Sequence, residues 1–359
     1  MIVSIGILAY NEADGIANTI ASLLAQSVFH AGACASTVSE WEIIVVPNGC
    51  TDQTSDVAAK AFTALLPSVV QANRTHCNIA HSVNVLKEGG KSNAWNRYIH
   101  EMSRRDADVI VMIDADIEFG HSDTMLNCLT ELRTNSRAKV VVDLPLKDFL
   151  KKPKLSWIES ISGKSSDIKL DEPVGISGQF YCSSASLLRQ IWMPNGLSSE
   201  DGFLKGMVVT DMFRSEPDLG CVVRAPNAMH YYEGLTRIKD IFHHELRMVI
   251  GTALNCYFMW DFLKFATDPK GPGAGVLIRD QLAADPTWYR RTIESQIQNR
   301  GWFVFPRGMM SQRFASLSGL SWQRKLRRLP VVLVGTLLDI PIYWMASRRL
   351  RGGRALGFW

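Results

Sequence analysis

The chain has no CxxC pair and no CxxC–HxxxH spacing; its seven cysteines are scattered at positions 34, 50, 77, 128, 182, 221 and 256. That unpatterned, odd-numbered set excludes a disulfide framework and a zinc-finger site and predicts the reduced thiols of a cytosolic protein. Internal repeats and low-complexity stretches are absent, and the opening residues lack the basic region and long apolar core of a secretory signal. A mean hydropathy of +0.00 excludes a multi-span transporter. With 47% hydrophobic and 21% charged residues among 359, the chain is neither disordered nor a small disulfide scaffold, and it suits one large domain or two modest ones.

Acid is scarce in one place only. From Trp322 to the end there are eight basic residues (Arg324, Lys325, Arg327, Arg328, Arg348, Arg349, Arg351, Arg354) against Asp339 alone, a net +7 that leaves −3 on residues 1–321 of the overall +4. A nucleic-acid binder more usually spreads its basic residues over a folded face, so no nucleic acid is expected; a basic tail points to an anionic membrane surface.

Through the first half, apolar runs alternate with helical spacing. Val3–Ala9, Trp41–Val46, Ser82–Leu86, Val109–Ile113 and Lys139–Val142 read as strands. Gly15–Gln26, Asp52–Leu65, Lys91–Ser103 and Thr124–Arg133 read as helices. Strands apolar on both faces, alternating with amphipathic helices, predict an α/β fold: a Rossmann-like, mixed but mostly parallel sheet flanked by helices. Ligands of such sheets sit beyond the strand C-termini, which directs attention to Tyr10–Glu12, Pro47–Asp52, Lys87–Ser92 and Asp114–Asp116. The second half is less regular: Gly175–Tyr181, a loop at Met193–Ser199, a helix opening at Glu200, a long helical stretch Ile238–Met259 and a flexible GPGAG loop at Gly271–Gly275.

Asp114-Ala115-Asp116 ends the most apolar strand. Two carboxylates leaving a buried strand are costly unless a cation sits beside them, and hard oxygen ligands suit Mg2+ or Mn2+ held together with substrate phosphates; a helix cap or solvated turn is the plain alternative. Asn48-Gly49-Cys50-Thr51-Asp52 is a turn whose Thr51 or Asp52 caps the next helix, and it also offers an amide edge to a nucleobase. Gly89-Gly90-Lys91-Ser92 resembles a phosphate loop, but the earlier glycine required by that pattern is Val85, so a P-loop ATPase is excluded. Lys91 and the helix start behind it still suit a phosphate.

Taken together, VSIGILAYNE, EIIVVPNGCTDQT, KEGGKSNAWN and VIVMIDAD, in this order and spacing, resemble the inverting family 2 glycosyltransferases of GT-A fold, closely over residues 1–120 and more loosely to about 250. The resemblance implies hexosyl transfer from a nucleotide-sugar donor, most often a UDP-sugar, with Mn2+ or Mg2+ as cofactor. It implies donor contacts from the loop at Ala9, Tyr10 and Glu12, from Asn48 (where many members carry an Asp that reads uracil), and from Lys91 and Asn96. Asp114, Ala115 and Asp116 match the DXD segment, with Asp116 as direct metal ligand and Asp114 facing ribose or metal.

In the second half, Glu200-Asp201 resembles the ED motif, whose Asp is the general base on the acceptor hydroxyl; a helix N-terminus with acids in its first turn is the competing reading. Gly178-Gln179-Phe180 resembles the acceptor-side loop. His230 is a candidate third metal ligand or diphosphate contact, or else a structural histidine. His243-His244-Glu245-Leu246-Arg247 stands where processive members carry QxxRW; without Gln and Trp, a polymer-extruding synthase is not expected, while Arg247 remains a candidate for the diphosphate. The implied organisation is a catalytic domain over 1–260 (a nucleotide-sugar half to 120, an acceptor half beyond), an extension over 261–328 and a membrane-associating tail over 329–359.

The apolar stretch Leu329–Ala346 would span about 27 Å as a helix, barely a bilayer. Asp339 near its centre would cost ~2.5–3.5 kcal/mol on insertion, Pro341 would kink it, and both flanks are basic. A helix lying in the interface or a re-entrant hairpin is therefore expected, with Trp322, Tyr343 and Trp344 at headgroup level; a buried core helix with a basic tail is the alternative. This predicts a peripheral or monotopic protein of the cytoplasmic membrane face, and a lipid-linked or saccharide acceptor. Competing readings are a nucleotidyltransferase, which favours a Gly-rich loop where AYNE stands here, and a non-catalytic membrane scaffold on the same fold.

Overall fold

A computed structural model describes residues 1–30, 38–72, 78–151, 174–235, 237–301, 304–306, 308–315 and 317–353. The chain forms two compact units: Met1–Pro194 with Glu200–Thr236 and Asp268–Arg279, and Asn195–Ser199 with Arg237–Thr267 and Asp280–Trp359.

The first unit is built on one eight-stranded sheet of order β3-β2-β1-β4-β7-β6-β8-β5. Its strands are β1 Ile2–Ala9, β2 Glu40–Pro47, β3 Asn78–Val83, β4 Val109–Asp114, β5 Ile117–Phe119, β6 Val140–Lys147, β7 Phe180–Ser184 and β8 Val222–Tyr232. The β3-β2-β1-β4 half is parallel throughout, and β7 then runs antiparallel between β4 and β6. Helices α1 (Ile16–Leu24), α2 (Thr54–Ala72), α3 (Lys91–Arg97), α4 (Thr124–Thr134) and α5 (Glu200–Val209) complete the unit.

Side-chain alternation along β1 explains the layering. Val3, Ile5 and Ile7 enter a continuous core with Ile16, Ile20 and Leu23 of α1, Ala58 and Phe62 of α2, and Met125 of α4. Ser4 instead pairs its hydroxyl with Tyr98, just past α3, at 2.8 Å. Trp41 on β2 is buried against Phe29 at 4.8 Å between ring centroids.

The expected α/β sheet is present, and four differences have physical reasons. Strand β3 lies earlier than Ser82–Leu86: past Val83 the chain still bonds β2 (Asn84 N–H to the Val45 carbonyl and Leu86 N–H to the Pro47 carbonyl, both at 2.8 Å), but Leu86 pairs only as an isolated bridge to Asn48, just beyond β2. β7 and β8 carry mixed polar and apolar residues without a clean period. GPGAG is no free loop: it leads into the helix Ala274–Ala284, whose Ala274 N–H donates to the Met212 carbonyl at 2.9 Å. The units interleave: Asn195–Ser199 goes with the second and Asp268–Arg279 with the first, and residues 237–260 group with the second.

That last difference arises in the second unit. Helix α6 (Ile238–Asn255) packs on the 30-residue α9 (Trp322–Arg351). Between them in sequence lie α7, the Ala274–Ala284 helix, and α8 (Trp288–Gln298). Phe258 stacks edge-on against Trp288 and Tyr289 of α8 at 5.6 and 4.8 Å. Asp339 is bonded by the guanidinium of Arg313 at 2.5 and 2.8 Å. Residues 354–359, including Arg354, lie outside the described residues.

Candidate active site

The C-terminal ends of β1, β2 and β4 converge with the start of α3 and the start of α5, and the loops there are stitched together by short polar side chains. Asp52 accepts from Thr54 N–H at 3.0 Å and its hydroxyl at 2.5 Å, capping α2, while its other oxygen accepts Ala13 N–H at 3.0 Å. These bonds, led by the Thr54 hydroxyl, hold the Asp52 carboxyl below the usual range. Asn11, at φ 54°, accepts Thr51 N–H at 2.8 Å through Oδ1. Thr19 of α1 donates to the carbonyls of Ala115 and Ile117 at 2.7 and 2.9 Å and so fixes the turn between Asp114 and β5.

Asn48 belongs to this stitching, which corrects the expectation that its amide reads a base. It is buried; Nδ2 donates to the Ala9 carbonyl at 2.8 Å and Oδ1 accepts Gly90 N–H at 3.1 Å. The same Ala9 carbonyl accepts Asn48 N–H, so both residues tie β1 to β2 and to the loop before Lys91. Gly49 is required there: it has φ 63°, and a Cβ on it would come within 2.6 Å of Gly89 Cα. Asn96 is corrected for the same reason, since it exchanges two hydrogen bonds with the Met193 backbone at 2.8 and 3.0 Å. What remains open beyond the stitches is Tyr10, 57% exposed.

The chemistry-bearing groups gather in a small cleft lined by Lys91, Trp95, Asp114, Gly178, Tyr181, Glu200 and Asp201. Lys91 Nζ lies 2.8 Å from Asp114 and 3.0 Å from Glu200. Burial works against its charge, but the two carboxylates prevail and hold Lys91 well above the usual lysine range. Burial pushes Asp114 up to about 6, with Lys91 opposing and Asp116 and Glu200 reinforcing the shift. Glu12 goes further, to about 7, through burial first and then the charges of Asp116, Asp114, Glu233 and Asp52. Acid thus accumulates at this strand end beyond what Lys91 neutralises.

Gly178, at φ 73°, presses on the start of α5: a Cβ there would lie 3.3 Å from Asp201 Cβ, 3.3 Å from Glu200 Oε1 and 3.6 Å from Lys91 Nζ. Gln179 follows, its carbonyl accepting Asp114 N–H at 2.8 Å. Glu200 and Asp201 both occupy the first turn of α5, where Asp201 Oδ1 accepts Gly202 N–H at 2.7 Å. The structure therefore brings Lys91, Asp114, Gly178, Glu200 and Asp201 together.

A family model, glycosyl transferase family 2, matches residues 4–192. The chain belongs to this family. The transferase has the GT-A fold of a solved mannosyltransferase from Pyrobaculum calidifontis, crystallised with GDP-Man and Mn2+: TM-score 0.50, 15% identity, covering 98% of this chain and 85% of that one. A glucosyl-3-phosphoglycerate synthase from Mycobacterium tuberculosis, in complex with Mg2+ and UDP, matches at a TM-score of 0.44 and 17% identity, over 71% of this chain and 79% of that chain. No curated protein matches the chain at a significant level.

The donor set of the transferase fits a divalent cation shared with a diphosphate. Among the described residues no three His, Cys, Asp or Glu side chains form a closed metal cage. Half-buried Asp114 and exposed Asp116 leave most of a coordination shell to phosphate and water, which suits Mg2+ or Mn2+. His230 does not join them, which corrects its reading as a third metal ligand: it is fully buried, with Nδ1 on Asp143 at 2.8 Å and Nε2 facing Gln179 Oε1 at 3.3 Å. Arg247 falls on α6, in the second unit. Two residues escaped sequence reasoning. Asp143 sits in an unremarkable VVVDLP strand, and Thr19 looks like any polar position on an amphipathic helix.

Proposed function

We propose that the transferase is metal-dependent, inverting and non-processive, and that it moves one sugar from a nucleotide-sugar, most often a UDP-sugar, to a lipid-linked or saccharide acceptor. The observation that carries this reading is the single cleft in which Asp201 stands beside Gly178, Lys91 and Asp114 at the strand ends.

Inversion requires the acceptor hydroxyl to attack the anomeric carbon from the face opposite the diphosphate. The acceptor oxygen–carbon bond forms, the carbon–phosphate oxygen bond breaks, and Asp201 takes the hydroxyl proton. The Gly202 N–H bond orients the Asp201 carboxylate, and Lys91 sets a positive charge between the acids of the two sides. A divalent cation held by Asp116 and Asp114 would neutralise charge on the departing nucleoside diphosphate. Tyr10 offers its exposed ring for stacking on the base. With the Asn48 amide engaged, base choice falls to backbone groups and to residues around Tyr10.

The proposed seat is the cytoplasmic face of a membrane, and the second unit supplies its surface. Trp322, Leu326, Leu329, Leu333, Leu337, Ile340 and Trp344 recur every three or four residues along α9, and all are exposed. Val332, Ile342, Tyr343, Ala346 and Leu350 are buried instead. Basic residues flank the stripe at both ends. Among the described residues no single helix is long and apolar enough to cross a membrane; Trp322–Pro330 and Gly335–Arg351, bent by 55°, pass that test only as a pair. An exposed apolar stripe along one side, with tryptophans at its ends, favours a helix lying in the plane of an anionic leaflet.

Thermal shift with UDP, GDP and CDP, each with and without Mn2+, tests the donor reading, followed by hydrolysis of the corresponding sugar nucleotides. Metal-dependent stabilisation by one nucleotide is expected. No stabilisation by any of them, or full turnover in Asp201→Asn, would sink it. Sedimentation with vesicles of phosphatidylserine and phosphatidylcholine against phosphatidylcholine alone tests the membrane seat.

A further inference from the structure

Beneath the acceptor-side turn lies a buried polar chain that the mechanism above leaves unused. Asp143 is 1% exposed and His230 0% exposed. The β6–β8 register shifts between Val142 and Leu144, so Asp143 sits where the ladder is interrupted. His230 Nδ1 donates to the carboxylate, 2.8 and 2.9 Å from its two oxygens. Nε2, left as an acceptor, then faces the Gln179 side-chain amide at 3.3 Å and accepts its N–H once the amide is turned end for end. Phe180 and Tyr232 enclose the imidazole, with ring centroids 6.5 and 6.2 Å away.

A carboxylate–imidazole pair this deep is a poor way to gain stability alone, because two apolar residues of similar volume would hold the strands as well. What a polar pair adds is direction. Asp143 fixes the ring, the ring fixes the Gln179 amide, and Gln179 is bonded through its carbonyl to Asp114 N–H. One residue before it, Gly178 abuts Asp201.

We infer that Asp143 and His230 are positioning residues that act through Gln179: they lock the Gly178–Gln179 turn and thereby set the spacing between Asp114 and Asp201. The inference rests on the reading of Asp201 as the base. Ligand-holding histidines in metal sites are oriented by carboxylates in the same manner; here the oriented group is an amide.

Two substitutions separate the halves of the ring. His230→Asn keeps an amide near the Nδ1 position and the bond to Asp143, but loses Gln179; His230→Gln reaches the Nε2 position and keeps Gln179. With UDP-glucose or GDP-mannose as donor and water as acceptor, whichever the wild type hydrolyses, His230→Asn is expected to lower kcat about 10–100-fold. The donor KM and the half-saturating Mn2+ concentration stay unchanged, and His230→Gln, which keeps Gln179 but leaves Asp143 without its partner, is expected to lose less kcat than His230→Asn. Amide exchange of residues 176–181 reads the same turn without turnover: faster in His230→Asn than in His230→Gln. Equal behaviour of the two variants by exchange, or a shifted Mn2+ requirement in place of a lower kcat, would overturn the inference. A wild type that hydrolyses no sugar nucleotide but shows the exchange difference would leave the positioning chain standing and count against the enzymatic reading.

Discussion

The strand-end loops of the first unit and helix α9 of the second handle their side chains in opposite ways. Around the cleft, polar groups are turned inward: Asn11, Asn48, Asp52, Thr19 and Asn96 all bond backbone atoms of neighbouring loops. Along α9, apolar groups are turned outward, from Trp322 to Trp344. The first arrangement makes a rigid frame on which a few acids and one lysine are held against their mutual repulsion. The second leaves apolar surface exposed among the described residues. Rigidity serves the chemistry, and the exposed apolar surface serves the proposed membrane seat.

Substitutions can break this comparison from either side. The largest effect is expected at Asp201: Asp201→Asn should lower sugar transfer or donor hydrolysis about 10²–10⁴-fold, the range for loss of a general base, with thermal stability near wild type. Next, Leu333→Glu, Leu337→Glu and Ile340→Glu combined remove three apolar side chains, each contributing about 1.5–3 kcal/mol when buried. Vesicle binding should fall roughly 100-fold or more while donor hydrolysis in detergent-free buffer is retained. Unchanged sedimentation with anionic vesicles would remove the membrane seat.

Asn48→Ala tests the frame itself. It strands an N–H at Gly90 and removes one of the bonds to the Ala9 carbonyl, which keeps the Asn48 N–H, and should cost about 1–3 kcal/mol in denaturant unfolding. Asn48→Asp keeps an acceptor for Gly90 but turns an oxygen toward the Ala9 carbonyl, so it should also destabilise. In neither variant should the relative affinity for UDP and GDP change; a switch in that preference would restore Asn48 to base recognition.

The smallest effect concerns pH. Folding raises Glu12 to about 7 from an ordinary 4.5, so the folded protein holds this proton more tightly than the unfolded chain. Its contribution to stability is full below pH 4.5 and is lost as pH rises toward 7. Metal-free wild type should therefore lose on the order of 2–4 °C in Tm across that window relative to Glu12→Gln. Calorimetry at matched ionic strength reads the difference.

Much of this was legible in the sequence where one residue type implies one environment. Val109–Ile113 could only be a buried strand, and the acids after it could only emerge at its end. Glu200-Asp201 opening a helix, and Lys91 opening another, followed from position alone. Asn48 and Asn96 were misread because an amide suits a base edge and a backbone carbonyl equally well; only the third dimension shows that Ala9, Gly90 and Met193 already claim them. The Asp143–His230 pair could not be found at all, because the two residues are distant in sequence and meet only through the β6–β8 ladder. Helical spacing at 238–255 says nothing about which helix it packs on, so the grouping of α6 with α9 was not legible.

Asp339 gives α9 more than a charge. Clamped by Arg313, beside a Gly335 whose missing side chain leaves room for the guanidinium, it works as a rotational stop. A cylinder of mostly interchangeable leucines has many ways to roll, and this one has a single setting. Freed of that stop, the helix would be able to turn its greasy edge inward and mask it, and the face proposed to settle on a leaflet would be lost while the catalytic machinery stayed intact.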